Sequence, residues 1–178
     1  MTVMAYIGFG SNLGDLTANL KTARQKLDNH PQISVRRSSR LYRSEPLTPD
    51  LEDQPWYLNA VFEITTELTL HQLFTFLKQI ERAMGRKHVK RWASRIVDLD
   101  ILFYGTAIYQ DNLITVPHAE MINRMFVLKP LCDLIPDFLH PDIELPLRDI
   151  LAHCDDTLIT EAIVPSTAIT TDILQNHV

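Results

Sequence analysis

Two cysteines are all that 178 residues contain. Cys132 and Cys154 lack the spacing of a metal cluster, and Cys132, inside the apolar run from Phe126 to Leu134, reads as a buried free thiol. No stretch approaches the ~20 apolar residues that cross a bilayer. The first residues, Met-Thr-Val-Met-Ala-Tyr-Ile-Gly, carry neither a basic leader nor an apolar run long enough for a signal peptide. A cytoplasmic location with no membrane partner is the expectation. Positive charge is short as well: 17 Lys and Arg stand against 22 Asp and Glu, a net charge of −5. That balance argues against a general nucleic-acid coat. A P-loop is missing too, because Gly10-Ser-Asn-Leu-Gly14 has no Lys-Ser/Thr ending and reads as a strand-to-helix turn. There is no internal repeat and no low-complexity segment.

What is present fits one soluble domain: 46% hydrophobic and 22% charged residues are ordinary globular values. The domain is expected over residues 1–160, followed by a tail, 161–178, with no assigned role. From Ser166 on, that tail reads as a frayed helix or a disordered segment. Val3 to Phe9 reads as a strand. Leu16, Leu20, Ala23 and Leu27 follow at helical spacing. Ile33 to Tyr42 reads as a strand, and the Pro-rich stretch Ser44 to Pro55 as a loop of the length that is often functional. Tyr57 to Thr66 is a further strand, with Leu58, Ala60, Phe62 and Ile64 alternating to one face. A helix starts at Thr69, with Gln72 placed for a capping box, carries a stripe from Leu70 to Met84, and ends at Gly85. A strand around Asp98 and Asp100 then leads to a turn at Gly105. An extended piece (Leu113 to Val116) follows, then a helical segment from Glu120 to Lys129, interrupted at Pro130. The order β-α-β-β-α-β over residues 3 to 104 matches an α+β, ferredoxin-like antiparallel sheet, with both helices on one face and the C-terminal third on the other.

The strand Ile96-Val97-Asp98-Leu99-Asp100-Ile101-Leu102-Phe103 carries the main contradiction. Alternation puts Val97, Leu99, Ile101 and Phe103 on a core face and both aspartates on the other, about 6–7 Å apart. A salt bridge to Arg91 or Arg95 would explain them, and so would a solvent-exposed face. Hard carboxylates also suit Mg²⁺, which usually joins one or two of them to substrate phosphates. Arg86, Lys87, His88, Lys90, Arg91 and Arg95, crowded into ten residues, would supply the phosphate clamps. His118, after Pro117, is a surface or capping histidine unless it meets phosphate together with Arg124. Trp92 is either a boundary anchor or a lid residue closing on a flat ligand. Tyr57 and Asn59 share a strand face, where they form a half-buried pair or a stacking ring beside an amide for a heterocycle. A metal-dependent nucleotidyl or glycosyl transferase, or a ferredoxin-like RNA-binding or regulatory module, are the other classes in view.

Gly10-Ser-Asn-Leu-Gly14, Gln54-Pro-Trp-Tyr-Leu-Asn59, Arg91-Trp-Ala-Ser-Arg-Ile-Val-Asp-Leu-Asp-Ile-Leu102, and Val116-Pro-His118 with Asn123-Arg124 occur in one order. Across roughly residues 3 to 150 the chain resembles the 6-hydroxymethyl-7,8-dihydropterin pyrophosphokinases of folate biosynthesis. The resemblance implies ATP as co-substrate, transfer of its β,γ-pyrophosphoryl group to the pterin hydroxymethyl oxygen, and release of AMP. It implies two Mg²⁺ ions on Asp98 and Asp100, with Arg86 and Arg95 as catalytic phosphate clamps. It places Lys78, Glu81, Arg95, Ile101, Thr115, His118 and Arg124 at ATP, and Ser44, Leu47, Tyr57, Asn59, Trp92 and Phe126 at the pterin. Lys78 stands where the family has glutamine and Ala93 where glycine is common. The loop between Gly85 and Trp92 is one residue short. Small-molecule substrates, no nucleic acid and a monomer are expected.

Overall fold

A computed structural model describes residues 1–47, 54–85 and 94–163. Its elements are β1 (Val3–Ser11), α1 (Leu16–Asp28), β2 (Ile33–Ser38), β3 (Tyr42–Ser44), β4 (Tyr57–Thr66), α2 (Leu70–Ala83), β5 (Asp98–Tyr104), β6 (Tyr109–Gln110), β7 (Thr115–Val116), a 3-10 turn (Met121–Asn123), α3 (Met125–Leu134), α4 (Leu147–Ala152) and β8 (Thr160–Ala162). The main sheet runs β5-β1-β4-β3-β8, with β2 also paired to β4, and every pairing is antiparallel. This is the expected βαββαβ sheet with an added strand at its far edge.

The helices form where the sequence signals them. Asp15 caps α1 by accepting from the Ala18 N–H, and Thr69 and Gln72 complete the capping box of α2. Gly85 stops the chain after α2 at φ +89°, a left-handed turn that glycine adopts without steric cost. Leu20, Ala23 and Leu27 of α1 and Leu73, Leu77 and Ile80 of α2 bury against Ala5, Ile7, Phe9, Phe62, Ile64 and Leu99. Each fully buried large aliphatic side chain contributes about 1.5–3 kcal/mol. The opposite sheet face receives α3 and α4: Leu128, Leu131, Leu147 and Ile150 pack on Tyr6, Val61, Leu102 and Phe103.

Several expectations need correction. Ile33 to Tyr42 is not one strand. The ladder to β4 slips at Val35/Arg37 and β2 ends at Ser38. Ser39 then replaces a strand pair, donating its N–H to Val61 O and accepting the Val61 N–H on Oγ, both at 2.9 Å, before β3 resumes. Phe103 leaves the face it was assigned. A bulge pairs Tyr6 with Phe103 but Ile7 with Ile101, so one β5 residue is skipped and Phe103 turns to the α3 side. The helical segment breaks at Arg124, which is extended at φ −134°, ψ 106°, and not at Pro130, which lies inside α3. Proline within a helix costs about 3 kcal/mol or more; full burial of the flanking Leu128 and Leu131 offsets it. The extended piece shortens to Thr115–Val116, because Asp111 Oδ1 accepts from the N–H groups of Leu113 and Ile114 and holds them in a turn. β1 runs two residues past Phe9, to Ser11. Past Leu151, β8 pairs with β3 and straddles the boundary drawn at residue 160.

Candidate active site

Beyond the reach of α4, the α3-side face of the sheet opens into a cleft of about 850 Å³, measured out to solvent. Gly8 and Gly10 of β1 form its floor. Asp98 and Asp100 rise from β5, Tyr57 and Asn59 from β4, and Phe126 from the first turn of α3. Asp98 and Asp100 share a face, as alternation requires. They are partly exposed, with side chains 21% and 42% accessible.

Arg95 forms a close ion pair with Asp98, so the salt-bridge explanation of that aspartate is realised at the mouth of the cleft. The backbone of Arg95 is fixed from the other side. Its N–H donates to Asn12 Oδ1 at 2.8 Å, and its carbonyl accepts the Asn12 N–H at 3.1 Å. Asn12 Nδ2 also donates to Pro55 O at 3.3 Å and Ser94 Oγ at 3.3 Å. Ser11 Oγ donates to Ile96 O at 2.6 Å. Thus the Gly10–Gly14 turn does more than join strand to helix: it sets where Arg95 stands. Sequence reasoning missed Asn12 in this role. A polar residue flanked by turn glycines gives no sign that it will be buried, and the structure leaves Asn12 2% exposed.

At the other end, Asn59 Nδ2 donates to Ser44 Oγ at 2.9 Å, which orients the amide between Tyr57 and the cleft wall. Ser44, Glu45 and Leu47 line that wall, as the resemblance implies for the backbone around Ser44 to Leu47, and Gln54, not assigned to the pterin, joins them. His118 and Arg124 line the α3 side. The His118 N–H donates to Leu102 O at 3.1 Å, and its Nδ1 accepts the Glu120 N–H at 3.3 Å. The Arg124 guanidinium lies 5.9 Å from the Phe126 ring centre and 3.7 Å from Glu120 Oε2.

Of the predicted residues, the cleft therefore gathers Ser44, Leu47, Tyr57, Asn59, Arg95, Asp98, Asp100, His118, Arg124 and Phe126. Four others stand off its lining. Ile101 is buried in the core beneath α1 and α2, and Thr115 is paired with Gln110 in the small hairpin. Glu81 is buried against the β5 backbone at Leu99, and Lys78 reaches the edge of the site at 3.6 Å from Asp100 Oδ1. Arg86 and Trp92 lie outside the described residues. Cys132 is half-buried rather than buried, and burial pushes its thiol up to about 11, so it is an inert thiol.

The described residues hold no cluster of three or more His, Cys, Asp or Glu able to enclose a metal. Two carboxylates on one face of an open cleft nevertheless suit Mg²⁺, which keeps water and takes substrate phosphate oxygens as its remaining ligands. No helix among the described residues is long and apolar enough to cross a membrane.

Residues 6–136 match the family profile described as 7,8-dihydro-6-hydroxymethylpterin-pyrophosphokinase (HPPK). A 2-amino-4-hydroxy-6-hydroxymethyldihydropteridine pyrophosphokinase of Haemophilus influenzae is 37% identical over 157 residues, 88% of this chain and 97% of that one. Its namesake in Methylorubrum extorquens is 42% identical over 135 residues, 76% of this chain and 84% of that one. Among solved structures, Plasmodium falciparum HPPK-DHPS with pteroate matches 85% of this chain with a TM-score of 0.69, at 14% identity. This chain spans 42% of that protein's length, and at such identity the likeness speaks for the fold alone.

Proposed function

This chain belongs to the 7,8-dihydro-6-hydroxymethylpterin-pyrophosphokinase family, and we infer that it transfers the β,γ-pyrophosphoryl group of ATP to 6-hydroxymethyl-7,8-dihydropterin in folate synthesis. The hydroxymethyl oxygen bonds to the β-phosphorus, the bond from that phosphorus to the α-phosphate oxygen breaks, AMP leaves, and the alcohol proton is released.

One observation carries the assignment of residues: a single cleft joins a half suited to a flat heterocycle to a half suited to a polyphosphate. In the first half, Tyr57 and Phe126 are the pterin's stacking partners. Asn59, oriented by Ser44, meets its hydrogen-bonding edge, and Leu47 closes the rim. In the second, Arg95, His118 and Arg124 hold the phosphates. Phosphoryl-type transfer depends on positioning and charge neutralisation more than on covalent help, and the Arg95 and Arg124 guanidinium groups supply the positive charge beside the His118 ring. Asp98 and Asp100 are the Mg²⁺ ligands. The two ions, when bound, would neutralise triphosphate charge. The expected setting of the reaction is a monomer in the cytoplasm.

The test is to incubate the protein with Mg-ATP and the hydroxymethyl dihydropterin and to separate the nucleotides. AMP, in equal amount to pyrophosphorylated pterin, is expected. ADP in its place would overturn the transfer reading.

A further inference from the structure

Among the described residues β5 is an edge strand of the main sheet, so a backbone that should present Asp98 and Asp100 in fixed register has a described strand neighbour on one side only. An open edge leaves N–H and C=O groups unpaired. At Leu99, the residue between the two aspartates, α2 supplies the missing partners. Glu81 Oε1 accepts the Leu99 N–H at 2.8 Å, and Lys78 Nζ donates to Leu99 O at 3.0 Å. The two side chains also pair with each other at 2.8 Å, closing a ring around one residue's backbone. Glu81 is 3% exposed, a charged group buried with partners that satisfy it. They stand on α2 at i and i+3, where helical side chains share a face.

We propose that Lys78 and Glu81 are positioning residues of the pyrophosphoryl transfer: they clamp the backbone at Leu99 in place of a strand and thereby fix the Asp98–Asp100 pair. This rests on the assignment of the aspartates made above. It differs from the expectation that both residues bind ATP directly, because the Glu81 carboxylate is buried on the Leu99 N–H and is not part of the cleft lining. Lys78 has a second consequence. Its ammonium lies 3.6 Å from Asp100 Oδ1, so it also pairs directly with one of the two carboxylates.

Replacing Glu81 separates the possibilities. Glu81→Gln keeps an acceptor for the Leu99 N–H; Glu81→Ala removes it. The Leu99 amide, followed by hydrogen exchange in the full chain, should exchange about 5–10-fold faster in Glu81→Ala, the scale of one net hydrogen bond. In Glu81→Gln it should stay near wild type. In turnover, Glu81→Ala should lower kcat and the affinity for Mn²⁺, titrated directly, by about 10–100-fold, the range for groups that orient metal-binding carboxylates. KM for ATP should stay within about twofold, and Glu81→Gln should recover most of kcat. Lys78→Met, which leaves the Glu81 bond intact, covers the case in which Glu81→Ala fails to fold, and it too should lower kcat at nearly constant KM for ATP. A rise in KM for ATP with kcat preserved would mark direct nucleotide contacts and overturn the clamp. So would a folded Glu81→Ala protein with unchanged Leu99 exchange. If wild-type protein forms no AMP, the transfer reading fails, and the exchange measurement still decides the clamp.

Discussion

One face of the sheet is built in two halves by the same three strands. Cross-strand register sets the residues in rows: Glu63–Tyr6–Phe103, then Val61–Gly8–Asp100, then Asn59–Gly10–Asp98. The first row is covered by α3 and α4, and its one charge is neutralised in place. Glu63 accepts from the Tyr6 hydroxyl at 3.2 Å and from Arg37 at 3.0 and 2.5 Å. The third row is open to the cleft and its polar groups face the space a substrate would fill. The central strand makes the difference. A tyrosine fills the first row, and glycines leave the other two hollow. A polar residue in a sheet is thus structural or functional according to what stands beside it in the next strand.

The sharpest way to break this comparison is to treat an open-row aspartate as though it belonged to the closed row. Asp98→Asn keeps size and removes the charge, and kcat should fall at least ~10²-fold, the scale of one lost electrostatic contact in a transition state. Arg95 loses its ion partner, but the pair is partly exposed, so stability should move by no more than about 1 kcal/mol. The double substitution with Asp100→Asn should lose far less than the product of the single losses. The check is melting temperature beside kcat at saturating Mg-ATP. A protein that melts much earlier yet turns over normally would assign Asp98 a structural role like that of Glu63.

Next in size is the wall facing those rows. Phe126→Ala should weaken pterin binding by about 1–3 kcal/mol, by analogy with base stacking on aromatic side chains, while ATP affinity holds. Calorimetric titration with each ligand separates the two. Equal losses would make Phe126 part of the α3 packing and leave Tyr57 without a stacking partner.

The sequence made these rows legible in part. Period-two alternation put Asp98 with Asp100 and Tyr57 with Asn59, because side-chain direction in a regular strand follows from spacing alone. The capping box at Thr69 and Gln72 is legible for the same reason: its partners lie within one turn. Phe103 was misplaced because a bulge depends on the neighbouring strand, and nothing within β5 announces it. Pro130 was misread as a break because local propensity does not see the burial of Leu128 and Leu131. The Glu81 and Lys78 bonds to the Leu99 backbone were not legible, since the resemblance places both residues at ATP and the spacing along α2 does not show which backbone groups of β5 they meet. Asn12 and β8 share that difficulty. Their roles exist only once distant segments, Arg95 for one and Tyr42–Ser44 for the other, are in place.

A smaller perturbation fills the hollow itself. A Cβ added at Gly10 would meet Asn59 Oδ1 at 3.7 Å and Asp98 Cβ at 4.0 Å, ordinary contact distances. The fold should therefore accept Gly10→Ala with little change in melting. The added methyl takes up space between the pterin half and the carboxylate half, and KM for the pterin should rise about 10-fold, the lower end of what one misplaced methylene costs in a fitted pocket. Gly8 is less clean, because its Cβ would come within 3.3 Å of Leu102. An unchanged pterin KM in Gly10→Ala would mean that the substrate does not rest on this part of the floor.

The smallest effect belongs to the closed row and should appear in stability alone. Hydrogen bonding from Arg37 holds the Glu63 carboxyl below its ordinary value of 4.5; the charge of Arg37, the bond from Tyr6 and nearby Arg36 add to this, against the opposing effect of burial. A carboxyl depressed by folding contributes stability that is fully present above its unfolded pKa and is lost as pH falls through the folded one. Glu63→Gln keeps the shape and removes the titration. At neutral pH it should melt lower by about 2–4 °C, for a net loss of about 1 kcal/mol, because Arg37 is half exposed and water replaces part of what it loses. Below pH 4.5 the wild-type protein gives up its advantage, and the two melting curves should converge. Asp111, also held well below the usual carboxylate range by the backbone N–H of Leu113 and by His71, titrates in both proteins and cancels in the difference. Turnover at neutral pH should be unchanged, since Glu63 is two rows from Asp98. A melting gap that stays constant into acid would deny the charge linkage, and a fall in kcat beside normal stability would erase the boundary between the two halves of this face.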